Sequence, residues 1–194
     1  MPNIGQGFQN LIAEYVEIDE SLIQSEHSKN VLYAMAICKI LKIDPLPCFV
    51  DGFTYLSVGS VGAAYNLEEL KSSKISHILC LASKVKLKFP DKFCYCRVNM
   101  LDSPDTNLSK HLLACFKHIE EARNAGGKIL IHCFQGKSRS VAVCCAYLIS
   151  FHGFSLTDAL QLIRSTRPTA MPNAGFMAYL KSMESLLCQP SGYI

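Results

Sequence analysis

Apolar positions in this chain alternate between short runs and helical stripes along its length. Phe8, Leu11, Ile12, Tyr15 and Val16 recur at helical spacing, and a second helix is expected over residues 31–42, ending before Pro45 and Pro47. Residues 49–53 and 55–60 read as a hairpin-like pair of strands, and Asn66 with Glu69 forms a capping pattern for a short helix. Residues 77–82 predict a central strand and residues 93–98 another, with a polar loop over 99–108. An amphipathic helix follows over 109–125, stopped by Gly126-Gly127. The β-branched run 128–131 predicts a buried strand, and the nearly continuous apolar run 141–149 a buried helix. Ser155 and Asp158 cap a further helix that runs to about Ser165. Strands alternating with helices predict an α/β fold: one mixed, mainly parallel sheet with helices on both faces. Residues 1–47 stand apart as a helical extension, which either packs on the main domain or offers a docking or dimerisation surface. Residues 48–188 form that domain and 189–194 a tail.

Composition narrows the picture. The 194 residues suit one domain with an extension and can bury a sizeable core. A net charge of only +3, carried by scattered lysines, gives no footprint for nucleic acid. Lys84, Lys86 and Lys88 alternate before Pro90 and read as a solvated edge. Ten cysteines raise the question of disulfides, but several (Cys38, Cys80, Cys144, Cys145) lie in apolar runs, where cysteine acts as a small hydrophobe. No charged-then-apolar stretch opens the sequence, so a reduced, cytoplasmic protein is expected, with the nucleus a second residence. Cys94 and Cys96 alternate on a strand and lack a second ligand pair, which argues against zinc. No apolar run reaches the 18 or so residues that would cross a bilayer.

The chemistry concentrates in His132-Cys133-Phe134-Gln135-Gly136-Lys137-Ser138-Arg139-Ser140. A strand, a tight glycine-containing loop and a helix start together make an anion cradle, because loop amides turn inward and the helix end adds positive partial charge. Arg139 is placed to grip two phosphate oxygens with its planar fork. Cys133 stands at the first position of the same field, which favours its thiolate and aims a nucleophile at phosphorus. The amides and side chains from Phe134 through Gln135, Gly136, Lys137 and Ser138 to Arg139 are the expected phosphate ligands. His132 reads as a residue that orients the loop rather than as a base, since neighbours on a strand face opposite ways.

The pattern His-Cys-x-x-Gly-x-x-Arg-Ser resembles the signature of the cysteine-dependent protein tyrosine phosphatases, and its surroundings resemble the dual-specificity branch. Arising by chance at average composition, the five fixed positions would appear in on the order of one chain in tens of thousands. The stretch ending Gly59-Ser60, the pair Arg167-Pro168 and the run Pro172-Asn173-Ala174-Gly175-Phe176 are similar to that family as well, although Tyr179 stands where it more often has glutamine.

The resemblance implies a protein tyrosine phosphatase-like fold over residues 48–188 and hydrolysis of phosphotyrosine and phosphoserine/phosphothreonine through a phosphocysteine. It implies no metal and no cofactor, and phosphoprotein partners, with protein kinases among the candidates. Asp102, five residues before Asn107-Leu108, takes the place of the family's general acid, with Asp105 as its rival. Ser140 would donate to the departing thiolate, and Asn173 would brace the phosphate loop. Two other readings stay open: a phosphoinositide phosphatase on the same fold, and a catalytically weak adaptor that captures phosphoproteins.

Overall fold

The computed structural model describes residues 23–187. The stripe from Phe8 to Val16 and the tail 189–194 therefore lie outside the described residues. Helix α1 spans Ile23–Ile43, so the helix expected from residue 31 begins at least eight residues earlier. The reason is that residues 23–30 are mostly polar, and apolar periodicity gives no signal there although the backbone continues the same helix.

Strand β1 (Cys48–Val50) and strand β2 (Phe53–Gly59) form the expected hairpin, antiparallel, with Gly52 at φ +78° in the turn. Ser60, read as the strand's end, instead caps helix α2 (Val61–Tyr65), its hydroxyl accepting from the Gly62 amide. Asn66 caps helix α3 (Leu67–Ser72) through the Glu69 amide at 3.2 Å, as the capping pattern predicts. Strands β3 (His77–Cys80) and β4 (Cys94–Arg97) follow, then helix α4 (Ser109–Asn124) and strand β5 (Ile129–His132). Helices α5 (Arg139–His152), α6 (Leu156–Thr166) and α7 (Ala174–Leu187) complete the described chain.

The five strands run in the order β1-β2-β5-β3-β4, with only the β1–β2 pair antiparallel. The sheet is therefore single, mixed and mainly parallel, as the alternation predicts. The centre belongs to β5, and β3, expected there, is its neighbour. Alternation along β5 builds both faces. Ile129 and Ile131 join Leu56, Val58 and Leu79 under α4, α5, α6 and α7, whereas Leu130 joins Ile78 and Leu70 on the opposite side. That second face is extended by Ile37 and Ile40 of α1, packed with Val61 and Cys80. A fully buried strand of this kind reads as continuous apolarity, and its carboxyl end delivers Cys133 to the edge of the core. No helix among the described residues is long and apolar enough to cross a membrane.

Candidate active site

Every residue that the signature singles out converges at the carboxyl end of β5. The chain leaves that strand at Cys133, bends through Phe134–Ser138 and enters α5 at Arg139. Cys133 is 1% exposed, and its Sγ accepts from the Gly136 amide at 3.2 Å and lies 3.4 Å from Ser140 Oγ. A sulfur held by an amide and a hydroxyl at a helix amino end is placed to carry negative charge.

Gly136 takes φ +67°, the left-handed conformation that makes the tight turn. A Cβ there would also meet Arg167 Nη2 at 2.3 Å and the Gly59 carbonyl oxygen at 2.6 Å, so no side chain fits. The rest of the loop is hung from its surroundings by its carbonyls. Phe134 O accepts from the Val61 amide at 3.1 Å, and Lys137 O accepts from the Met171 amide at 2.8 Å. Gln135 O accepts from Arg167 Nη2 at 3.0 Å, and Gly136 O from Arg167 Nε. With the carbonyls directed outward, the loop turns the Gly136 amide toward the cysteine.

Arg139 is fixed from behind. Its Nη1 donates to the carbonyls of Leu81 at 3.3 Å and Met100 at 3.2 Å, while its buried Nε has no hydrogen-bond partner among the described residues. The side chain is 12% exposed, and Asp102 Oδ2 lies 3.4 Å from Nε. An anchored guanidinium whose Nε is held only by this long ion pair at the mouth of the loop is suited to an incoming oxyanion.

Asp102 comes from the irregular loop between β4 and α4. Its Oδ1 accepts from Ser138 Oγ at 2.6 Å and from Asn173 Nδ2 at 2.9 Å, and its side chain is 35% exposed. Asp105, the rival, is exposed, and its recorded contact is its own amide on Ser103 Oγ at 3.3 Å. Of the two carboxylates, the structure brings Asp102 to the cysteine loop. Asn173 therefore braces the loop by two routes, through Asp102 and through its own amide, which donates to Ser138 Oγ at 3.1 Å. Two residues on, Gly175 lets the acid loop sit close: a Cβ there would lie 1.9 Å from the Pro104 carbonyl oxygen.

His132 is 1% exposed and pairs through Nδ1 with the Cys133 carbonyl at 3.2 Å. Burial pushes its pKa down to about 4, so the ring is neutral at neutral pH and faces the loop backbone.

Sequence reasoning missed two contributors. Arg167, noted only as part of a motif, is 4% exposed and clasps the loop carbonyls, with Asp44 as its carboxylate partner. Tyr33 of α1 stacks on Phe134 with ring centroids 4.6 Å apart. Nothing local marks the first as buried, since arginine is mostly exposed. Nothing local marks the second.

Comparison with known proteins agrees with this geometry. The profile of the family described as "Dual specificity phosphatase, catalytic domain" matches residues 56–185. Among curated proteins the chain is similar to Dual specificity protein phosphatase 1 of Arabidopsis thaliana, 42% identical over 82% of each chain. It is also similar to Protein phosphatase Slingshot homolog 3 of Mus musculus, 31% identical over 92% of this chain and 30% of that protein. Among solved structures, human DUSP28 superposes with a TM-score of 0.68 at 34% identity, covering 74% of this chain and 95% of that one. The human tyrosine phosphatase-like serine/threonine/tyrosine-interacting protein does so with a TM-score of 0.68 at 27% identity, covering 72% and 96%. With the family profile spanning most of the chain and the cysteine loop lying inside it, the chain belongs to the dual specificity phosphatase family and is a protein phosphatase.

Proposed function

We propose that the chain hydrolyses phosphotyrosine and phosphoserine/phosphothreonine in proteins in two steps, through a phosphocysteine and without a metal. The observation that carries this reading is the arrangement around one sulfur. Cys133 Sγ sits under the Gly136 amide and beside Ser140 Oγ, with Arg139 Nε and Asp102 at the same mouth.

In the first step the thiolate attacks phosphorus, the S–P bond forms and the P–O bond to the leaving group breaks. Protonated Asp102 gives its proton to the departing oxygen. Arg139 and the loop amides take up the charge on the equatorial oxygens, the task a metal ion would otherwise perform. In the second step the Asp102 carboxylate accepts a proton from water. The water oxygen attacks phosphorus, the S–P bond breaks, and inorganic phosphate leaves as the thiolate is restored. Ser140 stabilises that sulfur by donating to it. Asn173 and Ser138 hold Asp102 over the loop, and His132 stays neutral and holds the loop backbone.

A second reading has one observation in its favour: a structural neighbour is named a phosphatase-like interacting protein. Capture of phosphoproteins without turnover would use the same amides and Arg139. The two readings differ in turnover. Incubation with phosphotyrosine and phosphothreonine peptides in chelator should release inorganic phosphate, and an acid quench should trap a phosphoryl group on Cys133 by mass spectrometry. Tight peptide binding with no phosphate released would favour the adaptor. Release from phosphoinositides alone would move the substrate class to lipids.

A further inference from the structure

The amino-terminal helix grips the catalytic loop at two points, both outside the span that the family profile matches. At the first, Tyr33 stacks on Phe134. Burial pushes the Tyr33 phenol up to about 12. At the second, Asp44 follows the last turn of α1, its amide bonded to the Ile40 carbonyl at 2.9 Å. Its own carbonyl accepts from Ser60 Oγ at 3.0 Å, so the residue is fixed at its backbone before its side chain acts. Beside the second point a cleft of about 390 Å³ opens between α1 and the loop, lined by Ile40, Ile43, Asp44, Phe134, Gln135 and Arg167.

The Asp44 side chain meets Arg167, and Arg167 has no spare valence. A guanidinium has five N–H donors. Here Nε serves Gly136 O, Nη1 serves Asp44 Oδ1 at 3.3 Å and Cys48 Sγ at 3.4 Å, and Nη2 serves Asp44 Oδ2 and Gln135 O. Two of the five bonds fix successive carbonyls of the catalytic loop, and two run to one carboxylate. Removing that carboxylate would leave a cation that is 4% exposed without its counter-charge. The nearest way to recover polar partners is to reorganise around the loop carbonyls, which sets the direction of the Gly136 amide and hence the place of Cys133 Sγ.

We infer that Asp44 is a positioning residue of the phosphatase centre, acting through Arg167 to set the geometry of the Gln135–Gly136 turn, with Tyr33 as a second brace. The inference rests on the proposed phosphate-binding role of that loop, and it assigns the helical extension a part in catalysis rather than in packing alone.

The test uses the full chain, with wild type, Asp44→Asn, Asp44→Glu, Tyr33→Leu and Ile119→Val, the last a core change in α4 remote from the loop. Each is measured for melting temperature, for affinity for inorganic phosphate by calorimetry, and for kcat and KM on an aryl phosphate. Asp44→Asn should weaken phosphate binding about tenfold and lower kcat by about 10–100-fold, as misplacement of reacting groups by an ångström does. Asp44→Glu should restore most of both losses, Tyr33→Leu should cost a few-fold, and Ile119→Val should lower the melting temperature with neither constant changed. Phosphate affinity and kcat within twofold of wild type in folded Asp44→Asn would overturn the inference. So would a loss of the same size in Ile119→Val. If Asp44→Asn does not fold, Tyr33→Leu decides: unchanged phosphate affinity and kcat in it overturn the part assigned to the extension, and a kcat loss without a matching drop in melting temperature supports it. Wild type that binds phosphate but turns over nothing would defeat the enzymatic reading, while phosphate affinity would still judge Asp44.

Discussion

Ser138 stands at the amino end of helix α5, yet its hydroxyl makes no bond to its own helix; it donates to Asp102 Oδ1 at 2.6 Å, across 36 positions of sequence. A serine at that position usually satisfies one of the first free amides. Diverting it leaves those amides without a side-chain cap and ties Asp102 to the Cys133 loop.

Asp102→Asn isolates the proton from the scaffold, because an amide oxygen can still accept from Ser138 and Asn173. Hydrolysis of phosphotyrosine or phosphothreonine peptides should fall by about 10²–10⁴-fold, the usual weight of a general acid. Cleavage of an aryl phosphate with a strongly electron-withdrawn ring should fall much less, since its leaving oxygen needs no proton. Asp105→Asn should leave both rates near wild type. Steady-state rates on the two substrates check this, and leaving-group dependence carried by Asp105 would reverse the assignment.

Gly175→Ala should act like a weak acid mutation although residue 175 touches no reacting atom. The added Cβ would have to displace the Pro104 carbonyl, and Asp102 lies two residues before it. The expected outcome is a loss of about tenfold on phosphopeptides, with affinity for inorganic phosphate kept. Equal losses on peptides and on an activated aryl phosphate would mean that the phosphate loop itself had moved.

Five cysteines among the described residues, Cys80 included, are equally buried, and four of them should differ sharply in reactivity. Cys115, Cys144 and Cys145 are 0% exposed and Cys133 1%. Burial pushes the Cys115 and Cys145 thiols up to about 12, and that of Cys144 well upward. Only Cys133 faces an amide and a helix amino end. Iodoacetate at neutral pH should therefore modify Cys133 ahead of the other three, and inorganic phosphate should protect it. Peptide mapping after brief labelling reads the order; Cys144 or Cys145 reacting first would place the anion field elsewhere.

Stability should fall with acidity in a window set by His132. Its folded pKa is near 4 against 6.5 for the free side chain, so between these values the unfolded chain binds the extra proton. Stability from this group is present above pH 6.5 and is lost as pH drops toward 4. The loss between pH 6.5 and pH 5 is about 1.5 kcal/mol. His77 and His152, also shifted downward by burial, act in the same direction. Urea titrations at the two pH values check this, and His132→Gln should shrink the difference.

What the sequence discloses about this molecule follows the range of the interactions. The strand entering Cys133, the helix leaving Arg139 and the caps at Asn66 and Ser155 depend on neighbours within a few positions, and apolar period or side-chain chemistry marks them. Asp102 was legible only because a family pattern ties it to Asn107 and Leu108; alone, it is one more loop aspartate. The Asp44–Arg167 pair spans 123 positions, and neither residue carries a local sign of the other. The early start of α1 escaped for the opposite reason: its first turns are polar, and a helix held by backbone bonds leaves no periodic trace there.

That span of 123 positions also gives the catalytic loop a history. The loop is encoded between Asp44, well before it, and Arg167, well after, and this part of its bracing closes only when both have docked. Contacts so distant along a chain close late, because the loop-closure entropy must be met before they repay it. During synthesis or refolding, the sheet and the buried thiols can assemble while the cysteine loop is still unshaped. On the proposed reading, the Cys133 sulfur is thereby kept out of a working pocket until Arg167 has docked, so that catalytic competence should be the last property the chain acquires.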